Sequence, residues 1–335
     1  MSHQIVRGEE GRDTRGEWRP EGNVKLPPIY DWPMRPARVL RWLFVYDGYI
    51  LPWNVFYVAI ATFIWWYLTP PIETMRTLDW AWSLQIFLRN VALIVAFTGA
   101  LHLRLYVQRA QGTLFKYNSH WPDKPNNDFL FGKQIWDNIF WSVASGATIW
   151  SCYEILMMWG FANQVFPFSN LAWLITNPWY FMMILLMIPF WRIFHFYWIH
   201  RLIHWKPLYD RVHYLHHKNV NIGPWSGLAM HPVEHVLYFS SVLIHIIVPS
   251  HPVHVLFSLV QGGLGPAPGH AGFDEFVVTD GVTIPAHNYM HYLHHRYHNV
   301  NFGEGLVPMD KWFGSLHDGS DEAHAAMRNR RIQRD

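Results

Sequence analysis

The chain has 335 residues, 51% hydrophobic and 17% aromatic but only 15% charged, against about 25% charged in an ordinary soluble domain. The apolar excess excludes a disordered chain, and the single cysteine, Cys152, excludes an intramolecular disulfide scaffold. A net charge of +2 gives no footing for nucleic acid, whereas 20 Trp, 22 Phe and 22 His together point to a membrane protein with a metal site.

Residues 1–25 are polar and show no apolar core of a cleavable signal peptide, and residues 1–47 are expected to form a cytosolic N-terminal segment. Four apolar stretches follow, each near the roughly 20 residues a helical span needs. They run over about Tyr49–Thr69, Ser83–Tyr106, Ile139–Phe161 and Leu174–Ile199. Arg89, His102 and Arg104 interrupt the second and Glu154 the third. Residues 1–44 carry eight Lys and Arg, and the loop after the second span carries Arg104, Arg109, Lys116, Lys124 and Lys133. The loop after the first span has only Arg76, and residues 162–173 have none. Cationic loops stay in the cytosol, so both termini are expected there, with residues 48–190 as the transmembrane region. Val236–Val260 is apolar but broken by Pro249 and Pro252, and reads as a re-entrant or membrane-surface hairpin. Residues 319–335 form a polar tail expected to fray.

Seventeen of the 22 histidines fall between residues 191 and 298, a stretch with only five acids. His200 and His204 are four apart in HRLIH, and HxxHH occurs twice, as HYLHH at 213–217 and at 291–295. At about 100° per residue, helical positions i, i+3 and i+4 share a face. His213, His216 and His217 are therefore expected to form one patch and His291, His294 and His295 another. His287 and His298 extend the second stripe. His195, five before His200, turns the other way and is expected not to bind metal. A lone histidine beside an apolar segment is usually a satisfied core or interface residue, which suits His3, His102, His120, His317 and His324. It also suits His245, His251 and His254 at a membrane boundary. Adjacent imidazoles on one face instead repel when protonated and leave donors unmet when buried, and a metal resolves both problems. Eight box imidazoles exceed the needs of one ion, so two metals are implied. With no cysteine set for structural zinc and few carboxylates, iron, zinc or copper suit better than magnesium or calcium.

The series HRLIH, HYLHH, HPVE, HAGFD, HYLHH, with YWIHR at 197–201 and HNVNFG...PMDKWFGSLHD at 298–318, resembles the fatty acid hydroxylase/sterol desaturase superfamily over about residues 190–318. The resemblance implies an all-α, multi-pass membrane protein of about four spans, with a cytosolic helical histidine-box domain at 191–318. It implies two iron ions as cofactor, O2 as co-substrate, and hydroxylation or desaturation of a lipid C–H bond. By position, the family's ligands fall on His200, His204, His213, His216, His217, His291, His294 and His295, and further family histidines on His231 and His270. His287 joins them by its place on the stripe, His235 is a weaker candidate, and no catalytic residue is expected beyond the ligands. Many relatives carry an acid seven residues before the first box histidine. This chain has Ile193 there, so that orienting role must be met otherwise or be absent.

One cysteine cannot hold an iron–sulfur cluster, and no GxGxxG fingerprint is present. Electrons must then come from a partner, by resemblance cytochrome b5 or a ferredoxin with its reductase, and the basic loop at 104–133 offers a docking surface. HPVE and HAGFD lean toward the sterol-oxidising arm, with PWSGLAM (224–230) and 236–260 lining the lipid entry. The membrane is the ER in a eukaryote or the inner membrane in a bacterium. A His-lined transporter would set its ligands at the midplane of discontinuous spans, whereas these boxes follow the last span. A di-zinc membrane hydrolase would need a carboxylate base, for which Glu234 is the candidate beside a box. Intact boxes argue against a catalytically inactive sterol binder.

Overall fold

A computed structural model of the chain describes residues 12, 16–20, 24, 26–122, 125–166, 176–286 and 288–332. Its first α-helix is α1 (Pro36–Phe44), where Pro36 sits at the first helical position, which needs no N–H donor. No residue of α1 is buried. The bundle is built from α2 (Trp53–Leu68), α3 (Trp80–Val107), α4 (Gln134–Trp141), α5 (Thr148–Ala162) and α6 (Pro178–Ile203). A π turn over Ser142–Ala147 joins α4 to α5. Among the described residues, α3 and α6 are long and apolar enough to cross a bilayer, and α2 is apolar but shorter.

The third expected span is helical, as α4 and α5, but is not among those two candidates. The reason lies in its polar residues, which turn inward. Asn138 donates to Asn219 (2.9 Å), the Ser142 hydroxyl to the Trp225 carbonyl (3.2 Å), and Ser145 meets His235 (2.9 Å). Two of the charges that interrupted the second and third spans, Arg89 and Glu154, pair with each other. Arg89 of α3 binds Glu154 of α5, and Asn90 donates to Glu154 Oε2 and Ser151 Oγ, each at 3.1 Å.

A short helical run at 206–217 ends in α7 (Tyr214–His217), and α8 (Pro232–Phe239) and α9 (Pro252–Leu264) follow. Val236–Val260 is thus not a surface hairpin. Every residue of α9 is buried, and the helix packs against α2, α5 and α6 as the centre of the bundle. Its sequence, PVHVLFSLVQGGL, is mostly apolar, and its polar residues His254, Ser258 and Gln261 bond within the protein, to the Phe181 carbonyl (3.0 Å), His245 (2.8 Å) and Asn54 (2.6 Å). Gly263 lets the Trp150 ring come within 2.1 Å of where a Cβ would stand, so no other residue fits there.

Strands β1 (Glu275–Thr279) and β2 (Val282–Pro285) form an antiparallel hairpin that the all-α expectation lacks. It turns at Asp280–Gly281, Gly281 holding φ +81°, and is tied down where Trp53 Nε1 donates to the Pro285 carbonyl (2.8 Å). α10 (Tyr289–Tyr297) ends at His298, which adopts φ +65°. Where a frayed tail was expected, α11 (Asp321–Ile332) forms instead.

Candidate metal centre

The first box closes α6. The chain then reverses through Trp205, and a π turn over Tyr209–His213 brings His213 back beside His200, their Nε2 atoms 3.1 Å apart. Helix α10 adds the third box. The imidazoles gather into two nests, one of His200, His204, His213, His217 and His294, the other of His216, His270, His291 and His295. Within each nest the ligand nitrogens lie within 4.8 Å of one another, and all nine side chains except half-buried His204 are buried.

Each HxxHH box is therefore split between the nests, not presented as one patch. Residues four apart differ by about 40° around a helix, but neighbours differ by about 100°. So His213 and His217 enter the first nest while His216 enters the second, and His291 and His295 enter the second while His294 enters the first.

The second ring nitrogens explain the chemistry. His200 Nδ1 donates to the Phe302 carbonyl (2.7 Å), His294 Nδ1 to Val300 (2.6 Å), His216 Nδ1 to Ala229 (3.3 Å) and His270 Nδ1 to Pro266 (3.1 Å). His213 Nδ1 donates to Glu234 Oε1 (2.8 Å). A neutral imidazole has one N–H, so in these five rings Nε2 carries a bare lone pair. Those lone pairs face one another, at 3.1 Å for His200 and His213 and 3.2 Å for His270 and His216. No hydrogen bond can relieve that contact, but a cation can. Nitrogens at right angles on an ion with bonds of about 2.1 Å stand about 3.0 Å apart, which matches this spacing. The donor set is all imidazole, which fits iron, zinc or copper and not magnesium or calcium. His217, His291 and His295 have a buried Nδ1 with no protein partner.

Burial keeps the rings neutral. It lowers His216 to about 4 and holds His213, His217, His270, His291, His294 and His295 well below the usual 6.5, with neighbouring imidazoles adding to the effect in all of these but His216. Metal binding at neutral pH thus displaces no proton from them. Two of these acceptor carbonyls, Val300 and Phe302, come from the run HNVNFG, whose loop is held by Asp310. That carboxylate accepts from Phe302 N–H (2.9 Å), Gly303 N–H (2.8 Å) and the Ser315 hydroxyl (2.6 Å). Ile193 is a buried apolar residue, and the carboxyl group that meets a nest imidazole is that of Glu234, at His213.

The other candidates stand elsewhere. His231 lies outside both nests, half-exposed, where its Nδ1 accepts from Val233 N–H (3.2 Å) and caps α8. His235 is buried with both nitrogens used, by Ser145 and by the Leu228 carbonyl (3.2 Å). His195 bonds Ser240 (3.0 Å), away from the nests. His298, off the end of α10, receives the Tyr209 hydroxyl (2.8 Å). His245 bridges Ser250 (2.7 Å) and Ser258 (2.8 Å) inside the bundle. His287 lies outside the described residues.

A small cavity of about 70 Å³ touches both nests, lined by His200 and His213 of the first and His216, His270 and His291 of the second. Phe196, Met230 and Tyr238 form apolar walls, and Glu234 borders it. A larger cleft of about 540 Å³ lies beside it, and the two share Gly265, Gly269, Asn288, Met290 and Glu304. A small chamber at the nests and a lipid-sized cleft thus share a wall.

Residues 181–315 match the family described as Fatty acid hydroxylase. The chain is 35% identical over 135 residues to a Delta(7)-sterol 5(6)-desaturase of Gibberella zeae, covering 36% of this chain and 37% of that one. It is 28% identical over 192 residues to a Delta(7)-sterol-C5(6)-desaturase of Nicotiana tabacum, covering 54% and 67%. A Delta(7)-sterol 5(6)-desaturase of Aspergillus fumigatus is 30% identical over 142 residues, covering 36% and 43%. The chain thus spans between about a third and two thirds of these relatives' lengths. No solved structure matches it.

Proposed function

As the chain belongs, through residues 181–315, to the fatty acid hydroxylase/sterol desaturase superfamily, we propose that it is a membrane-bound di-iron oxygenase hydroxylating or desaturating a lipid C–H bond. One observation carries this: a single cavity bordered by two all-imidazole nests. The nine histidines of the nests are the ligands, with no further catalytic residue. Iron held there supplies the O2 activation that an unactivated C–H bond requires, drawing two external electrons per turnover.

The chain's own residues do the rest. Nδ1–H donation to Phe302, Val300, Ala229, Pro266 and Glu234 fixes ring orientation and directs each Nε2 inward. Phe196, Met230 and Tyr238 keep bulk water from the inner cavity, and the neighbouring cleft holds the body of the lipid. The names of the relatives favour a sterol-type lipid. Electrons come from cytochrome b5 or a ferredoxin with its reductase, docking at the basic loop 104–133. α3 and α6 cross the membrane, α2 and α4–α5 complete a four-helix region, and both termini and the nests lie in the cytosol, at the ER or a bacterial inner membrane. Residues 1–47, 48–190, 191–318 and 319–335 are the N-terminal segment, membrane region, catalytic domain and tail.

Iron-loaded full chain, supplied with a reduced donor, should oxidise sterol or fatty-acyl lipids with O2 consumption coupled to product. Protein carrying two irons that forms no donor- and O2-dependent product across both lipid classes overturns the proposal.

A further inference from the structure

The larger cleft contains a polar device that the oxidation of a C–H bond does not use. The Asn54 amide Nδ2 donates to the Tyr49 carbonyl (2.7 Å), and since a carbonyl only accepts, this fixes which way Asn54 points. Its Oδ1 then receives Gln261 Nε2 (2.6 Å), which fixes Gln261 in turn. Gln261 Oε1 is left as a buried acceptor without a partner, on a side chain only 4% exposed, and Tyr49, Asn54 and Gln261 all line the cleft. Gln261 sits on α9, the fully buried central helix, where a lone acceptor is costly unless a ligand or water meets it. The cleft's charges narrow the ligand further. Among the described residues, Asp47, Asp274, Glu275 and Glu304 line it with Arg192, which is itself bonded to Glu304 (2.6 Å). A carboxylate or phosphate headgroup finds Arg192 already held by Glu304; a neutral hydroxyl meets an acceptor.

Resting on the proposed lipid oxidation, we propose that the cleft selects a neutral lipid bearing a free hydroxyl, whose O–H donates to Gln261 Oε1. The test is equilibrium binding to the detergent-solubilised full chain of cholesterol, its 3-methyl ether and its 3-hemisuccinate, with hexadecan-1-ol, its methyl ether and palmitate as a linear series. The free alcohol of at least one series binds about tenfold tighter than its ether and its anion, the difference one hydrogen bond to a buried acceptor makes. The series that shows it identifies ring or chain. In Gln261→Met the alcohol weakens to the level of the ether, while the ether is unchanged. Equal binding of alcohol and ether in the wild-type chain overturns the inference, as does tighter binding of the anion. So does a Gln261→Met chain, with metal content intact, that keeps the preference. Binding needs no turnover, so the two proposals fail separately. Hydroxyl-selective binding without oxidation overturns only the oxygenase, and oxidation without hydroxyl selectivity overturns only this site.

Discussion

At the scale of single residues, the nest histidines differ in what holds their second nitrogen. Four are anchored by backbone carbonyls, but His213 depends on Glu234, whose carboxyl is buried and held well above the usual carboxylate range by desolvation. Glu234→Gln retains an oxygen to accept from His213 Nδ1 and should keep metal affinity close to wild type. Glu234→Leu removes that acceptor and should weaken metal binding by about 10–100-fold, as losing a ligand's orienting partner typically does. Competition against a chelator measures both; equal affinities for Leu and wild type contradict the orienting role. The boxes themselves were legible because HxxHH repeats in a chain with few nearby acids. Their division between two nests was not, since helical phase separates His216 from His217 but only tertiary packing decides what each one meets. The carbonyls of Phe302 and Val300 were invisible, because every residue has a carbonyl and sequence does not mark which one is aimed at a ring. His231 looked like a ligand from its place in HPVE, yet the proline after it starts α8 and turns the ring into a cap.

At the scale of elements, the Arg89–Glu154 pair binds α3 to α5 inside the apolar bundle. Glu154→Ala leaves a guanidinium buried and uncompensated, and should cost about 3–5 kcal/mol of stability. Replacing both, Arg89→Met with Glu154→Leu, should recover most of that loss. Thermal unfolding of the solubilised chain compares them, and a double variant no more stable than the single one contradicts a buried pair between α3 and α5. In the sequence these charges read as flaws in two separate spans; that they answer each other needed the helices placed side by side. The long apolar helices were legible from length and composition. α9 was half legible: Pro249 and Pro252 marked a break between two helical arms, Pro249 lying between them and Pro252 starting α9, but that α9 lies buried at the centre of the bundle and not at a membrane surface needed the packing. The β hairpin had a signal in Asp280–Gly281 between valine-rich runs. α11 also had one, since Ser320 caps it and Asp321 and Glu322 occupy its first turn.

At the scale of the whole molecule, the nests make the metal-free protein sensitive to acid. Burial lowers His216 from 6.5 to about 4 and pushes its neighbours the same way, so as pH falls the unfolded chain takes up protons first. Stability is therefore full above about pH 6.5 and declines toward pH 4, roughly 3 kcal/mol of it through His216 alone. Tm of the metal-free chain across that range should fall steadily with acid; a Tm flat from pH 7 to 4.5 contradicts the buried, neutral nests.

The central claim is that two separate nests each hold one metal ion, and metal content per chain tests it most directly. The purified full chain should carry close to two irons. His204→Ala, in the first nest, and His291→Ala, in the second, should each fall to about one, while His231→Ala stays at two. A wild-type chain that binds only one ion after iron loading would contradict the account, as would a His231→Ala chain that loses metal while the two nest variants keep it.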